Sequence, residues 1–425
     1  MALHLFARTG HPDFLDLPWD EPLDEWDDPR LVDIPAGLHR HVVRFVRYDQ
    51  GLYVFKELPK RYAEREYRFL TFLREEGVPV VKAAGVATDR HRDGEPLESV
   101  IITKHLPYSL PYRLLFSRRS THDLVDSMLD ALVDLLVRIH LVGFMWGDCS
   151  LSNTLFRRDA RRLAAYLVDT ETGELHPNLT DGQRGYDLDL AMERTAGELL
   201  DLEAQGLVPD GLDPVWFGDQ LLERYTHTWD VLTAQETFAA SDRDRIRARL
   251  NAVNALGYDV GEVEVSAEDS GAEKLRMALH VVEPNRHRRL LFERTGLRAE
   301  ESQARVLLAD IDGYGAWLNE TYGHDLPRDV LDRRWYQDSY LNALSRVPDD
   351  LWGRREGPQI FAESLDHWHW IMGEQGREMP FEEGVDDYVR EILAPAEVEE
   401  VVSAEDAFTA PDPETGPLPM PDEGP

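Results

Sequence analysis

The sequence predicts an α+β architecture: a small antiparallel sheet lobe, a helical lobe, a mainly helical C-terminal domain and a disordered acidic tail. Three observations lead there. Residues 31 to 104 alternate β-branched and aromatic runs with turn residues, the signature of paired strands. The stretch "THDLVDSMLDALVDLLVRIHLVGF" is apolar at nearly every position except Asp126, Asp130, Asp134 and Arg138, which recur every four residues, so it reads as a helix with one narrow wet stripe and otherwise buried. Helical patterns then dominate until residue 396, after which nine acids, six prolines and no Lys or Arg mark a segment unable to build a core.

Element by element, residues 1–30 ("DFLDLPWDEPLDEWDD") are rich in Pro, Asp and Trp and lack periodicity, so they read as an irregular arm whose Trp19 and Trp26 dock on the body. The runs "LVDIP", "HVVRFVRY" and "LYVFKEL" form a predicted meander, followed by a helix at about 62–76 and two strands, "VPVVKAAGVA" and "LESVIITKHL". This sheet lobe spans 31–108 and the helical lobe 109–235, which includes two short strands, "TLFRR" and "LAAYLVD", across the turn "DARR". Residues 236–395 read as a separate unit of helices with one hairpin ("DVGEVEVS" with "LRMALHVVE"), and 396–425 as the tail. There is no internal repeat.

Bulk properties narrow the function. A chain of 425 residues, 42% apolar and 9% aromatic, buries sizeable cores. The formal charge of −35, with no Lys/Arg block to offset it, excludes nucleic acid and anionic membranes as partners. Cys149 is the only cysteine, and the apolar stretch at the N-terminus is too short for a signal sequence, so a cytoplasmic location is expected. Arginine supplies most positive charge; lysine occurs only at 56, 60, 82, 104 and 274, which singles each one out.

Phosphoryl transfer from ATP needs a cation on the phosphates, an anion to hold that cation, oxygen ligands for Mg2+, and a carboxylate to deprotonate the acceptor hydroxyl. The chain supplies these in order. Strand alternation puts Lys56 on the face of Val54 and Leu58, and helical periodicity puts Glu66 on the buried face with Ala63, Leu70 and Leu73, so the two are expected to pair. Asp148 and Asn153, in "GFMWGDCSLSNTLF", follow the buried helix; Asp148 is the candidate catalytic base and Asn153 a metal ligand. Asp169 ends the apolar strand "AAYLV", where a carboxylate suits Mg2+, and Glu171 adds a further metal ligand. Each has a structural alternative: a plain ion pair for Lys56 and Glu66, turn capping for Asp148, Asn153 and Asp169.

These residues resemble the kinase-like superfamily over about 31–235: "VFK" looks like its lysine strand, "REYRFL" like its glutamate helix, "GDCSLSN" like the catalytic loop Asp-x4-Asn, and "LVDTE" like its metal-binding Asp-Phe-Gly. Gly147 before Asp148 makes the chain more similar to the lipopolysaccharide kinase (Kdo kinase) branch, of the actinobacterial type that pairs such a region with a C-terminal domain of unknown function. The resemblance implies a two-lobed protein-kinase-like fold and the cofactors ATP and Mg2+. The phosphate loop "IPAGLHRHVV" departs from the glycine-rich pattern, leaving Gly37 with Arg40 or His39 as the expected phosphate contacts.

The leading functional reading is an ATP- and Mg2+-dependent phosphotransferase whose partners are the nucleotide and an unidentified hydroxyl acceptor, a small molecule or glycan. The alternative is a nucleotide-binding pseudokinase whose residues 236–395 engage a protein partner. A third reading, a protein Ser/Thr kinase, is disfavoured by Gly147 and by the short segment after Asp169. His367 and His369, two apart in a predicted helix, face different ways and read as packing residues.

Overall fold

The computed structural model describes residues 3–34, 41–117, 122–209, 212–239, 241–242, 244–267, 274–323, 326–374, 376 and 378–399. The predicted α+β class holds. In the first lobe, β1 (His4–Ala7), β2 (Val43–Tyr48), β3 (Gly51–Leu58), β4 (Lys82–Thr88) and the later strand Ser99–Lys104 form one antiparallel sheet, with helix α1 (Lys60–Glu75) between β3 and β4. The order is β1, β4, Ser99–Lys104, β3, β2. Proline 59 at the N-cap starts α1, and its buried face is Ala63, Glu66, Leu70 and Leu73, as periodicity required. "LVDIP" contributes only a single bridge, Leu31 to Val46, and not a strand of the predicted meander.

Within the arm the structure differs from the sequence reading. His4–Ala7 is an edge strand paired to β4, admitted because Gly85 lets the Phe6 carbonyl approach to 2.4 Å from where a Cβ would sit. Farther along, Phe14, Leu17, Trp19, Leu23 and Trp26 cover the outer sheet face made by Val46, Tyr53, Phe55, Val100 and Ile102. Both indoles satisfy their N–H on the arm itself, Trp19 on the Phe14 carbonyl (2.7 Å) and Trp26 on that of Glu21 (3.1 Å). The arm is pinned by Arg90, fully buried, which donates to the Trp19 carbonyl (3.2 Å) and the Glu57 carboxylate (2.7 Å).

A small hairpin, β5 (His91–Arg92) with β6 (Glu95–Pro96), precedes the sheet strand Ser99–Lys104, here β7. Then come β8 (Ser109–Pro111), α2 (Tyr112–Ser117), α3 (His122–Leu141), β9 (Phe144–Met145), the hairpin β10 (Thr154–Asp159) and β11 (Arg162–Leu167), β12 (Glu174–Leu175), α4 (Asp181–Ala204) and α5 (Pro214–Thr233). The polar stripe of α3 is not simply wet: Arg224 on α5 bridges Asp126 (2.6 Å) and Asp130 (2.7 Å), and Arg138 is buried against Asp134 and Asn285. Thr180 starts α4 in a capping box with Gln183, and Asp213 with Pro214 starts α5.

The predicted hairpin is β14 (Asp259–Ala267) with β15 (Lys274–Glu283); β13 (Glu236–Ala239) joins it as a third strand, and α6 (Asp244–Ala255) lies between β13 and β14. Helices α7 (Arg286–Thr295), α8 (Glu301–Tyr322), α9 (Arg328–Trp335), α10 (Asn342–Leu344), α11 (Gly357–Glu374) and α12 (Phe381–Tyr388) follow. They enclose their own core around Leu307, Ile311, Trp335, Ile360, Phe361 and Tyr388. Of the two histidines in "DHWHW", His367 is held by Asp387 (2.9 Å) and His369 is exposed. The acidic segment starts ordered, since Glu399 pairs with Arg158 and Arg355 at 2.8 Å each; from residue 400 onward the predicted tail lies outside the described residues. Among the described residues no helix is long and apolar enough to cross a membrane.

Candidate active site

The site forms where the first sheet meets the helical lobe. Alternation along β3 turns Tyr53 and Phe55 toward the arm and Lys56 toward α1. There the Lys56 ammonium donates to Glu66 Oε2 (3.0 Å) and to Asp169 Oδ2 (2.8 Å). Burial alone would lower the Lys56 pKa, but Glu66 and Asp169 together hold it above its ordinary value. Burial pushes the Glu66 carboxyl up to about 8, Lys56 opposing and Asp169 and Glu171 adding to the rise.

The loop carrying Asp148 is built on its backbone amides. Gly147 sits at φ +73°, a region costly for any residue with a Cβ. Its N–H donates to Asp187 Oδ1 (2.7 Å) and that of Trp146 to Asp187 Oδ2 (2.7 Å). Asp187, wholly buried on α4, also meets His140 Nε2 (3.1 Å), whose other nitrogen meets the Tyr225 hydroxyl (2.7 Å). About three turns farther along α4, Glu198 takes the N–H groups of Leu151 (2.6 Å) and Ser152 (3.1 Å). The loop from Trp146 to Ser152 is thus held at both ends by carboxylates of one helix. Cys149 is buried in that loop, its thiol pKa pushed up by burial, and fills space there.

Asn153 closes the loop, its side-chain amide nitrogen donating to the Asp148 backbone carbonyl (3.1 Å) while its backbone carbonyl accepts the Val168 N–H (3.1 Å). Asp148 Oδ1 pairs with Arg194 of α4. Asp169 Oδ1 accepts the Glu171 N–H (2.9 Å), and Glu66, Asp169 and Glu171 bring carboxylate oxygens within 4.8 Å of one another. Glu171 also meets His41 Nε2 at 3.2 Å. Oxygen donors so gathered match the chemistry of a hard divalent cation such as Mg2+.

Of the residues singled out from sequence, the structure brings Lys56, Glu66, Asp169 and Glu171 into direct company. Asp148 and Asn153 lie on the adjoining loop, linked to that group through Val168. Gly37 and Arg40 lie outside the described residues. Sequence reasoning missed His41, His140, Arg194, Glu198 and Asp187. The last left a trace: it begins the buried stripe Asp187, Ala191, Thr195, Leu199, Leu202, and an acid at the head of such a stripe needs buried donors.

Residues 44–199 match the lipopolysaccharide kinase (Kdo/WaaP) family. This kinase-like region spans Lys56, Glu66, Asp148, Asn153, Asp169 and Asp187, and ends just past Glu198. Residues 227–393 match a domain of unknown function, DUF4032. No curated protein matches the chain. Among solved structures, one described as "WaaP in complex with acyl carrier protein" is similar at 16% identity, over 53% of this chain and 88% of that one, with a TM-score of 0.33.

Proposed function

We propose that the kinase-like region is an ATP- and Mg2+-dependent phosphotransferase acting on a hydroxyl of a small molecule or glycan in the cytoplasm. The observation that carries this reading is Lys56 shared between Glu66 and Asp169, beside a loop whose amides are held by Asp187 and Glu198. Lys56 contacts the nucleotide phosphates, and Glu66 orients it from the buried side. The Asn153 carboxamide oxygen, Asp169 and Glu171 would hold the metal. Asp148 Oδ2 receives the acceptor proton, Oδ1 being engaged by Arg194. Bound Mg2+ would neutralise phosphate charge; the chain contributes positioning and a fixed electrostatic frame.

The acceptor class follows from what surrounds Asp169. Only the stretch up to Asp181 separates it from α4, and β12 within that stretch folds back onto β9, Glu174 opposite Met145. So short and tied a connection has no room for a peptide-docking segment, which favours a small hydroxyl acceptor over a protein.

Thermal stabilisation by ATP at graded Mg2+, followed by ATP turnover, tests the reading. ATP should stabilise the protein only with Mg2+, Asp169→Ala should abolish the effect, and Asp148→Asn should retain it while losing turnover. A wild-type protein indifferent to ATP and Mg2+ would end the proposal.

A further inference from the structure

The hairpin β10–β11 joins two places. Its base carries the candidate metal residues, Asn153 immediately before β10 and Asp169 two residues after β11. Its tip, about 20 Å away at strand rise, is seated in the C-terminal unit, where Ala160 packs against that unit's apolar core.

The seat is polar, buried and specific. Asp159 accepts the N–H groups of Ser302 (2.9 Å) and Gln303 (2.7 Å), serving as N-cap for α8 from outside that helix. Gln359 closes both backbone groups of Ala160, accepting from its N–H (2.8 Å) and donating to its carbonyl (2.9 Å), where Ala160 adopts a left-handed φ of +54°. Gln303 donates to the Arg158 carbonyl (3.0 Å). Glu300 takes both the Arg157 guanidinium (2.7 Å) and the Tyr166 hydroxyl (2.7 Å), one from each strand. Asp159, Glu300, Gln303 and Gln359 are all buried. On the kinase side β8 pairs with β10 opposite Leu155 to Arg157 and α3 packs on β11, with Phe156, Leu163 and Ala165 in their shared core; among the described residues no strand of that side pairs with Asp159 to Arg162.

We propose that the C-terminal unit is a positioning part of the phosphotransfer site: through Glu300, Gln303 and Gln359 it fixes the hairpin that sets Asn153 against Asp169. This rests on the phosphotransferase reading above. A two-stranded hairpin is marginal by itself and takes its stability from what packs on it: α3 along β11 on the kinase side, and the C-terminal unit at the tip. Here the register is set from the tip, and at the base by Leu167, which exchanges hydrogen bonds with Pro79 and Val81 (3.0 and 3.1 Å). Glu300, Gln303 and Gln359 bond to the hairpin and to none of Lys56, Asp148, Asn153 and Asp169; they act through the strands.

The test is the Mg2+ midpoint of ATP-dependent thermal stabilisation in the full chain, for Glu300→Gln and Gln359→Ala. The comparison variant is Arg294→Met, which breaks the buried Arg294–Asp332 pair in the same unit without touching the hairpin. The positioning role requires the midpoint to rise about tenfold in the first two variants, with ATP affinity at saturating Mg2+ within twofold of wild type, and the Arg294 variant to show a lowered melting temperature with an unshifted midpoint. If wild type responds to Mg2+ and ATP while the hairpin variants keep its midpoint, or if all three shift alike, the inference is overturned and the phosphotransferase reading survives. If wild type itself does not respond, that reading fails first.

Discussion

Trp146 donates its indole N–H to the backbone carbonyl of Asp169 across 3.0 Å, so one buried ring spans the segment before the candidate base and the segment bearing the candidate metal ligand. Thr172 returns the link, its hydroxyl donating to the Trp146 carbonyl at 3.1 Å. Replacing Trp146 by Phe keeps most of the bulk and leaves one buried carbonyl without its donor. The expected cost is about 1–2 kcal/mol in urea unfolding, with weaker Mg2+-dependent ATP stabilisation. An unchanged nucleotide response would mean that Asp169 is placed without the indole.

Asp187 satisfies the amides of Trp146 and Gly147 together with His140. Asp187→Ala strands several buried donors at once, and a loss of about 3–5 kcal/mol is expected by chemical denaturation. Activity should vanish even at temperatures where the variant stays folded, because the Asp148 loop loses its inner anchor. A folded, fully active Asp187→Ala protein would contradict the role assigned to that anchor.

His140 gives the pH dependence. Burial lowers its pKa below the ordinary 6.5, with Asp187 opposing. The bonds fit a neutral ring that donates through Nε2 to Asp187 and accepts through Nδ1 from Tyr225. The folded state therefore resists a proton that the unfolded chain takes up below about pH 6.5, so this contribution is complete above that pH and is lost as pH falls below it. Melting temperature against pH should show the decline in wild type, and His140→Gln should be flatter across pH 5–6.5. Parallel curves would remove His140 as the cause.

At Gly147, a Cβ would sit 3.3 Å from the Thr172 carbonyl at a φ of +73°. Gly147→Ala should cost about 1–2 kcal/mol and displace Asp148, lowering kcat more than the affinity for ATP. Equal kcat with lower stability would confine the glycine to a folding role.

Lys56→Met removes the cation that Glu66 and Asp169 share, beside Glu171. ATP binding should weaken by tenfold or more, while binding of Mg2+ alone strengthens, since the ion inherits the whole charge of Glu66, Asp169 and Glu171. Isothermal titration with Mg2+ alone and with ATP at saturating Mg2+ distinguishes the two effects, and a parallel loss of both would show that Lys56 chiefly maintains the fold.

Local pattern made most of the fold legible. Alternation in β3 and periodicity in α1 turned Lys56 and Glu66 toward one another before any coordinates, and they meet at 3.0 Å. What stayed hidden depends on distant segments. His4–Ala7 is a strand only because β4 offers an edge with a glycine at the contact, and α3's acidic stripe meets Arg224 only because α5 packs alongside. Asp187 and Glu198 bind backbone N–H groups, which have no residue identity, so no spacing advertises the partnership. In the sequence Asp159 reads as part of a polar turn, because its acceptor role depends on α8, 143 residues on.

The arm over the first sheet bears on where the protein can be cut. The family match starts at residue 44, yet the side chains shielding Tyr53, Phe55 and Ile102 come from residues 14–26. A recombinant fragment trimmed to the match would present a bare aromatic sheet face and unpair the edge of β4, a surface suited to self-association. Expression limits for this region are therefore set by Phe14, Trp19 and Trp26, well upstream of the point where sequence similarity begins.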